Sequence, residues 1–375
     1  MSSEIEGVTV MVPSHFGSLG RFPRLRAALV TAVLAAGLAT AGLRAATADN
    51  RDVPPMPIDW RSGEQRDHPL AGKIWSRATN ALVSAQDYGM ALAKSRFILL
   101  GENHDNADHH ELQAWAIRTI AKLRGARIVE GAPQADTIAM EMLSPEQQVT
   151  LDRFYGRNAK VPRQRDAADF GRMLKWETLG WPDYKLYEPI VAAALDARLV
   201  IVPANPSRDE TRKIGREGLG GVDAAEAARL AIDKPLAATD QASLVAEIAK
   251  SHCDMLPAAA LGNMTLVQRL RDARMADAML EAGTYKGSIL IAGNGHVRED
   301  RGVPWYMTRR GIAEGEITSV MHVEVSGDLT SLGDYVAGEA RPMADYIVFT
   351  PRQPRADSCE EMRRQVGEMK ARKGG

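Results

Sequence analysis

This chain has few cysteines, few aromatic residues and almost no net charge. Only 2 of its 375 residues are cysteines, which excludes a disulfide-stapled scaffold and any cysteine-rich zinc or iron–sulfur site. Its 47 Lys and Arg residues balance 48 Asp and Glu residues, for a formal net charge of −1, so we expect no nucleic-acid partner. The aromatic content of 5% excludes nothing by itself. The remaining composition, with 45% hydrophobic and 25% charged residues, is typical of globular proteins.

Long apolar runs are also missing, except near the N-terminus. Three arginines within residues 21–26 precede an uncharged run over residues 27–43, and residues 46–48 read Ala-Thr-Ala. This is the pattern of a cleaved secretory signal. The run is short and weakly apolar for a membrane span, although an uncleaved single-span anchor is the alternative. No cysteine lies near the predicted cleavage point, which disfavours a lipid anchor, so the sequence predicts an exported protein that is periplasmic or secreted.

Short apolar runs alternate with helical patterns along the rest of the chain. The six β-rich runs are Phe97–Leu100, Ile138–Met142, Leu199–Val202, Ile289–Ala292, Ile317–Val323 and Tyr346–Phe349. The first four are almost wholly apolar, as in strands that are buried on both faces of a parallel sheet. Ser144–Gln147 reads as a capping box with proline at the first helical position, so a helix follows the second run. The predicted fold class is α/β, with a mainly parallel sheet flanked by helices.

One long stretch departs from this alternation. Residues 206–285 contain no convincing strand and are rich in helix-forming residues, with glycine and proline between the segments. We therefore expect a small all-helical subdomain inserted into the α/β domain. The predicted organisation is a signal peptide at 1–48, a linker or extended segment at 49–74, the α/β domain at 75–205 and 286–360, the helical insert at 206–285, and a charged tail at 361–375.

One short motif occurs twice, each time directly after an apolar run. The first copy is Gly101-Glu102-Asn103-His104 and the second is Gly293-Asn294-Gly295-His296. We expect each glycine to let the backbone turn sharply or adopt a positive φ. His104 and His296 then lie just beyond the carboxyl edge of the sheet, where open α/β sheets bind their ligands.

A carboxylate stands in the second β-rich run. Glu141 is costly to bury there unless it is paired or bound to a cation. In one interpretation it forms a salt bridge with an arginine. Arg271 is a candidate partner, and the alternative for Arg271 is a position on the surface. In the other, Glu141 converges with Glu102, His104 and His296. Two imidazoles and two carboxylates suit a divalent metal such as zinc, manganese or iron, and equally suit general acid–base chemistry.

Further histidines and tyrosines are candidates for ligand contacts. His109 and His110 open a predicted helix, so we expect one to face the site and the other to face solvent. Tyr184 belongs to an aromatic segment, 181–187, which either packs against the core or offers a flat surface to a porphyrin.

The His252-Cys253 pair leaves several interpretations open. It suggests a metal or haem contact, or a thiolate nucleophile served by His252. Alternatively, Cys253 and Cys359 form a disulfide in an oxidising compartment, which requires a suitable distance between them.

Taken in order, these motifs resemble the ChaN-like family. The resemblance is carried by Gly101–Asn106, His109-His110, Met140–Leu143, Trp181–Tyr184, His252-Cys253, Arg271–Ala276, Gly293–His296, Gly302–Pro304 and Asp345-Tyr346, and it extends from about residue 75 to residue 360. That family belongs to the Tiki-like superfamily, which also includes TraB-like and erythromycin-esterase-like members. The resemblance implies an α/β core with a small helical domain and an exported protein linked to iron or haem uptake.

The resemblance also implies two main functional hypotheses. In the first, the chain binds haem or iron for uptake, with Tyr184, His252 and His110 as candidate haem ligands. In the second, it is a metal-dependent peptidase or esterase.

For the second hypothesis, superfamily relatives carry the two Gly-x-x-His motifs and a strand glutamate at the active site. The candidate catalytic residues are then Glu102, Glu141 and Arg271. The candidate metal ligands are His104, His296 and Glu141. The cofactor is accordingly haem or a divalent metal (iron, zinc or manganese). A relative that has lost activity and only binds partners is a third hypothesis.

The expected partners follow from the uptake hypothesis. They are haem or another small molecule, a membrane surface or receptor, and a second copy of the chain in a homodimer.

Overall fold

The computed structural model describes residues 53–125, 137–156, 166–282, 287–337 and 343–357, together with 359–360, 362–364 and 368. The predicted signal peptide at 1–48 and most of the predicted tail at 361–375 lie outside the described residues.

In the described residues, eight strands form one sheet with the order β2-β1-β8-β7-β3-β6-β4-β5. They are β1 (Ile74–Ser76), β2 (Ala81–Val83), β3 (Phe97–Glu102), β4 (Thr137–Met140), β5 (Val200–Pro203), β6 (Ser288–Gly293), β7 (Ile317–Glu324) and β8 (Tyr346–Thr350). The strands from β3 to β8 pair in parallel, and β1 is antiparallel to both β8 and β2. The predicted α/β fold with a mainly parallel sheet is confirmed.

The predicted β-rich runs coincide with the strands β3 to β8. The edge strands β1 and β2 are not predicted, because three residues each are too few to show a pattern. The predicted run Ile138–Met142 is too long, since β4 ends at Met140. Glu141 therefore follows the strand and does not stand within it.

Eleven α-helices are described. They are α1 (Ala85–Lys94), α2 (Ala107–Gly125), α3 (Gln148–Phe154), α4 (Ala167–Leu174), α5 (Tyr184–Asp196), α6 (Arg208–Glu217), α7 (Ala224–Arg229), α8 (Ala238–Ser251), α9 (Ala258–Ala282), α10 (Val303–Arg309) and α11 (Leu332–Val336). Short 3₁₀ turns occupy Pro145–Gln147, Trp176–Thr178, Gly218–Gly221 and Glu314–Glu316.

Helices cover both faces of the sheet, which explains why its central strands are apolar throughout. In β3, Ile98 and Leu100 pack in the core that includes α1, α2 and α5. The alternate residues Phe97 and Leu99 pack in the core that includes α9 and α10. Because successive side chains of a strand point to opposite faces, both sets must be apolar.

Four helices, α6 to α9, lie between β5 and β6, within the segment predicted as a helical insert. The last of them, α9, also packs against β4, β5, β6 and α10. This contact brings the middle of α9 to the carboxyl edge of the sheet. The boundaries of the predicted domains stay predictions.

The two cysteines are joined. Cys253, in the turn after α8, and Cys359 form a disulfide across 106 residues. Of the interpretations open for Cys253, the structure has the disulfide and not a free thiolate. Within the part of the chain that the structure describes, no helix combines the length and apolarity that a membrane span requires.

Candidate functional site

Charged side chains converge at the carboxyl edge of the sheet. Neighbouring parallel strands bring them there, because β3 ends at Glu102, Glu141 follows β4, and His296 lies three residues beyond the end of β6. Helix α9 contributes from outside the sheet. We call this group the edge cluster; it consists of Glu102, His104, His110, Glu141, Arg271, Asp272 and His296.

Glu102 is the first anion of the edge cluster, and it is only 2% exposed. Its Oε1 lies 2.8 Å from Nδ1 of His104 and accepts from the Tyr187 hydroxyl at 3.3 Å. Its Oε2 lies 2.8 Å from Nε2 of His110, an ion-pair distance without the alignment of a hydrogen bond. Burial opposes ionisation, but the imidazoles of His110 and His104 outweigh it and hold the pKa of Glu102 below its ordinary range.

Glu141 is the second anion, and it is 1% exposed. Its Oε2 accepts from the backbone N–H of Gly293 at 2.7 Å, and its Oε1 accepts from the guanidinium of Arg271. Nε2 of His296 lies 3.3 Å from the same Oε1. Although burial raises it, the pKa of Glu141 is held well below its usual range by His296 and Arg271. Glu141 therefore both forms the predicted salt bridge with Arg271 and lies close to His296, so the two interpretations of this residue hold together.

His296 lies between two carboxylates. Its Nδ1 is 2.6 Å from Oδ1 of Asp272, and its Nε2 faces Glu141. Burial lowers the pKa of His296, but Glu141 and Asp272 outweigh it and raise the pKa from 6.5 to about 9. Asp272 is 2% exposed, and burial raises its pKa despite the nearby imidazole.

The sequence did not single out Asp272 as a site residue. Its burial beside Ala273 and Ala276 is visible only in the structure, because a charge in a long helix does not show from the sequence which way it faces.

His104 is the histidine of the edge cluster that reaches the surface. Its side chain is 34% exposed, and its ring contacts the edge of Trp181, with 5.0 Å between ring centroids. Burial lowers its pKa, but the hydrogen bond with Glu102 and the charge of Glu141 outweigh this, and the pKa of His104 is raised.

The expectation that His109 or His110 faces solvent is wrong, because both are fully buried. His109 accepts from the backbone N–H of Asn103 at 2.8 Å and contacts the Thr350 hydroxyl at 2.8 Å. It thereby holds the His104 loop from behind. The ring of His110 lies against Tyr187, with 4.3 Å between centroids.

Tyr184 and His252 lie apart from the edge cluster. The Tyr184 hydroxyl donates to the carbonyl of Ala167, and its ring packs against Trp176. His252 ends α8, and its Nδ1 lies 2.8 Å from the carbonyl of Ile248. Neither contacts the edge cluster through any hydrogen bond, ion pair or ring contact of the described residues.

The glycines of the repeated motif have a different role from the predicted one. Neither Gly101 nor Gly293 has a positive φ. A Cβ on Gly101 would lie 2.4 Å from Oδ1 of Asn294, and a Cβ on Gly293 would lie 3.1 Å from Nε2 of His104. The motif therefore requires glycine because the two loops approach each other closely.

The donors of the edge cluster do not fit a divalent metal. In the described residues, no group of three or more His, Cys, Asp or Glu side chains is arranged to hold one. The guanidinium of Arg271 binds the Glu141 oxygen that also faces His296, so a cation already occupies the position between these donors. The predicted metal set of His104, His296 and Glu141 converges, but as an ion-pair network.

A cleft of about 580 Å³ opens beside the edge cluster. Met142, Leu179 and Trp181 contribute apolar surface to it, and Arg208 and Arg212 contribute positive charge. Asn205 lines the cleft as well, and its Oδ1 accepts from Nε of Arg271 at 3.1 Å.

The fold and the site define an α/β protein with a charged cluster at the carboxyl edge of a mainly parallel sheet and a cleft beside it. Residues 90–307 match the family described as haem-binding uptake, Tiki superfamily, ChaN, and the chain belongs to that family. No curated protein matches its sequence.

Two solved structures are similar to this chain. ChaN of Campylobacter jejuni, described for its cofacial haem binding, is 22% identical, with a TM-score of 0.55 over 73% of this chain and 95% of that one. This likeness shows the fold. A mutant of the erythromycin esterase EreC in its open conformation is 12% identical, with a TM-score of 0.30 over 67% of this chain and 77% of that one.

Proposed function

We propose that this chain is an exported haem-binding protein. The observation that carries the proposal is membership of the haem-binding ChaN family over residues 90–307. The C. jejuni protein of similar fold is described as binding haem, which supports the same ligand here.

The cleft beside the edge cluster has properties that suit haem. Its volume of about 580 Å³ lies within the range of small-molecule sites. Met142, Leu179 and Trp181 suit a porphyrin face, while Arg208 and Arg212 suit its propionates, because guanidinium groups pair well with carboxylates. Bound haem would supply an iron centre that takes an axial protein ligand.

Among the candidate iron ligands, His104 is favoured by its contacts. Its Nδ1 pairs with Glu102 at 2.8 Å, the arrangement that orients metal-binding histidines in proteins. Its side chain is partly exposed beside Trp181. His110 is fully buried, and the Tyr184 hydroxyl is already bonded to a carbonyl.

A haemin titration of the chain from Asp49 onward tests the proposal. We expect a saturable change in the Soret absorbance, which His104→Ala weakens or shifts. Tyr184→Phe and His252→Ala are the matched variants for the other predicted ligands. Loss of the signal in one of these variants, but not in His104→Ala, would identify that residue as the iron ligand. The absence of a saturable change in the unaltered chain would refute haem binding.

Export is supported by the disulfide, because disulfides persist in oxidising compartments. We expect the chain outside the cytoplasm, with its N-terminus at Asp49. N-terminal sequencing of cell fractions checks this, and an intact N-terminus in the cytosol would contradict it. Association with a membrane, a receptor or a second copy of the chain stays a prediction.

A second candidate function is hydrolysis of an ester or amide. It is favoured by one observation, the chain of contacts from Asp272 through His296 to Glu141, which resembles an acid–base relay. The donor set does not support the metal-dependent form of this hypothesis.

Glu141→Gln separates the two candidate functions. Turnover of a nitrophenyl ester should collapse if Glu141 is catalytic, while haem affinity should barely change. Turnover that survives the substitution would reject this second candidate.

A further inference from the structure

The chain after β8 crosses the carboxyl edge of the sheet. Arg352 and Glu64 exchange two backbone hydrogen bonds, and the N–H of Gln353 donates to Oε1 of Glu324 at 3.3 Å. We call residues 351–357 together with Cys359 the C-terminal strap.

Arg355 fastens this strap to the loop that carries His104. Its Nη2 donates to Oδ1 of Asp105 at 2.6 Å, and its Nη1 donates to Oε2 of Glu324 at 2.6 Å. Asp105 directly follows His104 in the chain. The strap therefore restrains the same loop that presents the exposed histidine of the edge cluster.

The far end of the strap is held by the disulfide. Cys359 is bonded to Cys253 in the turn after α8, and both residues are partly exposed. That turn contains two successive residues in the left-handed region, Cys253 at φ 57° and Asp254 at φ 55°. Such a conformation is unfavourable for cysteine, so the covalent bond and its surroundings must maintain it there.

We propose that Cys253–Cys359 is a thiol–disulfide exchange site whose reduction releases the strap from the His104 loop. The co-reactant is a dithiol. One of its thiolates attacks a sulfur of the disulfide and forms a mixed disulfide, which its second thiol then resolves. The dithiol is oxidised to a disulfide by loss of two electrons, and Cys253 and Cys359 become thiols that take up the two protons.

In the part of the chain that the structure describes, the disulfide and Arg355 are what tie residues 355–359 of the strap to the rest of the chain by covalent bond, hydrogen bond or ion pair, so reduction leaves Arg355 as the remaining tie. Arg355 donates to both oxygens of Asp105 and of Glu324, but its side chain is 32% exposed, so water and salt compete with these pairs. Once the strap detaches, the His104 loop loses one of its restraints and opens more often. This inference concerns access to the edge cluster and does not depend on haem as the ligand.

The test measures how fast diethyl pyrocarbonate modifies His104 in the full chain, before and after reduction with dithiothreitol at one pH. Peptide mass mapping separates His104 from His252 and the other histidines. We expect modification to be about threefold faster or more in the reduced chain, as for a loop that opens locally. In the double variant Cys253→Ser, Cys359→Ser, the rate should match the reduced chain and should not respond to dithiothreitol.

A second pair of variants leaves the disulfide intact. Arg355→Ala should speed the modification of His104 in the oxidised chain, whereas Arg364→Ala, which removes an exposed pair with Glu368 beyond the strap, should not. An unchanged rate in a folded chain with two free thiols would overturn the proposal. If reduction abolishes the far-ultraviolet dichroism, the chain has unfolded and the oxidised Arg355→Ala variant provides the test instead. An unchanged rate of His104 modification in that variant would also overturn the proposal.

Discussion

At the scale of single residues, the edge cluster must balance three buried carboxylates. Glu102, Glu141 and Asp272 are each at most 2% exposed. The guanidinium of Arg271 supplies one positive charge, and the raised pKa values of His104 and His296 favour further positive charge on their imidazoles. The protonation state of the histidines therefore affects the stability of the fold as well as any chemistry of the site.

The first prediction concerns the pH dependence of stability. The pKa of His296 is raised from 6.5 to about 9 in the folded chain, so the folded state binds the proton more tightly than the unfolded state. This contribution is fully present below pH 6.5 and is lost as the pH rises to about 9. We expect a loss of roughly 3 kcal/mol across this window, since one pKa unit corresponds to about 1.4 kcal/mol.

Urea unfolding at several pH values measures this loss. In His296→Gln, the fall in unfolding free energy between neutral and alkaline pH should be much shallower. An equally steep fall in the variant would show that another group is responsible.

The second prediction concerns Asp272. Because Asp272 helps to raise the pKa of His296, Asp272→Asn should lower that pKa by about one unit or more, as expected for loss of an adjacent opposite charge. Proton NMR titration of the imidazole, assigned with His296→Gln, measures the change. Asp277→Asn, on the same helix but paired with Arg229 and Arg310, should leave it unchanged. An unaltered titration of His296 in Asp272→Asn would contradict this account.

Sequence reasoning found the residues of the edge cluster that follow strands, but not all of their partners. Glu102, Glu141 and His296 were predictable because parallel strands end at a common edge. Asp272 was missed because a charge in a long helix gives no sign of which way it faces. The burial of His109 was missed because its partners, Asn103 and Thr350, belong to different elements.

At the scale of elements, the two Gly-x-x-His loops are packed against each other without room for a side chain at the glycines. Strands β3 and β6 are adjacent, and Glu102 pairs with Gly293 in the parallel register. The amide of Asn294 donates to Oδ1 of Asn103 at 3.2 Å and to the carbonyl of His322 at 2.7 Å. The positions of His104 and His296 therefore depend on how closely these two loops approach.

The third prediction compares the same substitution at two glycines. A Cβ on Gly101 would lie 2.4 Å from Oδ1 of Asn294 and 2.7 Å from Cγ2 of Val297, so Gly101→Ala should cost about 1–3 kcal/mol through overpacking. Gly262, inside α9, has nothing within 4 Å of its Cβ position. Gly262→Ala should stabilise the chain by about 0.5–1 kcal/mol, because alanine favours helix.

Urea unfolding at constant pH measures both glycine variants. The expected signs are opposite, so a general effect of alanine cannot imitate the result. A Gly101→Ala chain as stable as the unaltered one would refute the close-approach explanation of the motif.

At the scale of the whole molecule, the fold class was readable because β3, β4 and β6 are buried on both faces and so appear as apolar runs. The order of the strands was not readable, since β3 pairs with β6 and β7 across long stretches of sequence. The three-residue strands β1 and β2 left no pattern. The disulfide could not be predicted with certainty, because it depends on how closely the turn after α8 approaches the C-terminal segment, and the sequence does not show that distance.

The last prediction concerns this disulfide, which joins the helical segment between β5 and β6 to the end of the chain. It closes a loop of 106 residues, and a cross-link over so long a loop removes much conformational freedom from the unfolded chain. The double variant Cys253→Ser, Cys359→Ser should therefore unfold with about 2–5 kcal/mol less free energy than the oxidised chain. Urea unfolding with and without dithiothreitol measures this, and the reductant should affect only the unaltered chain. Equal stability of the two chains would mean that the unfolded state is already compact in this region, or that strain in the left-handed turn at Cys253 cancels the gain.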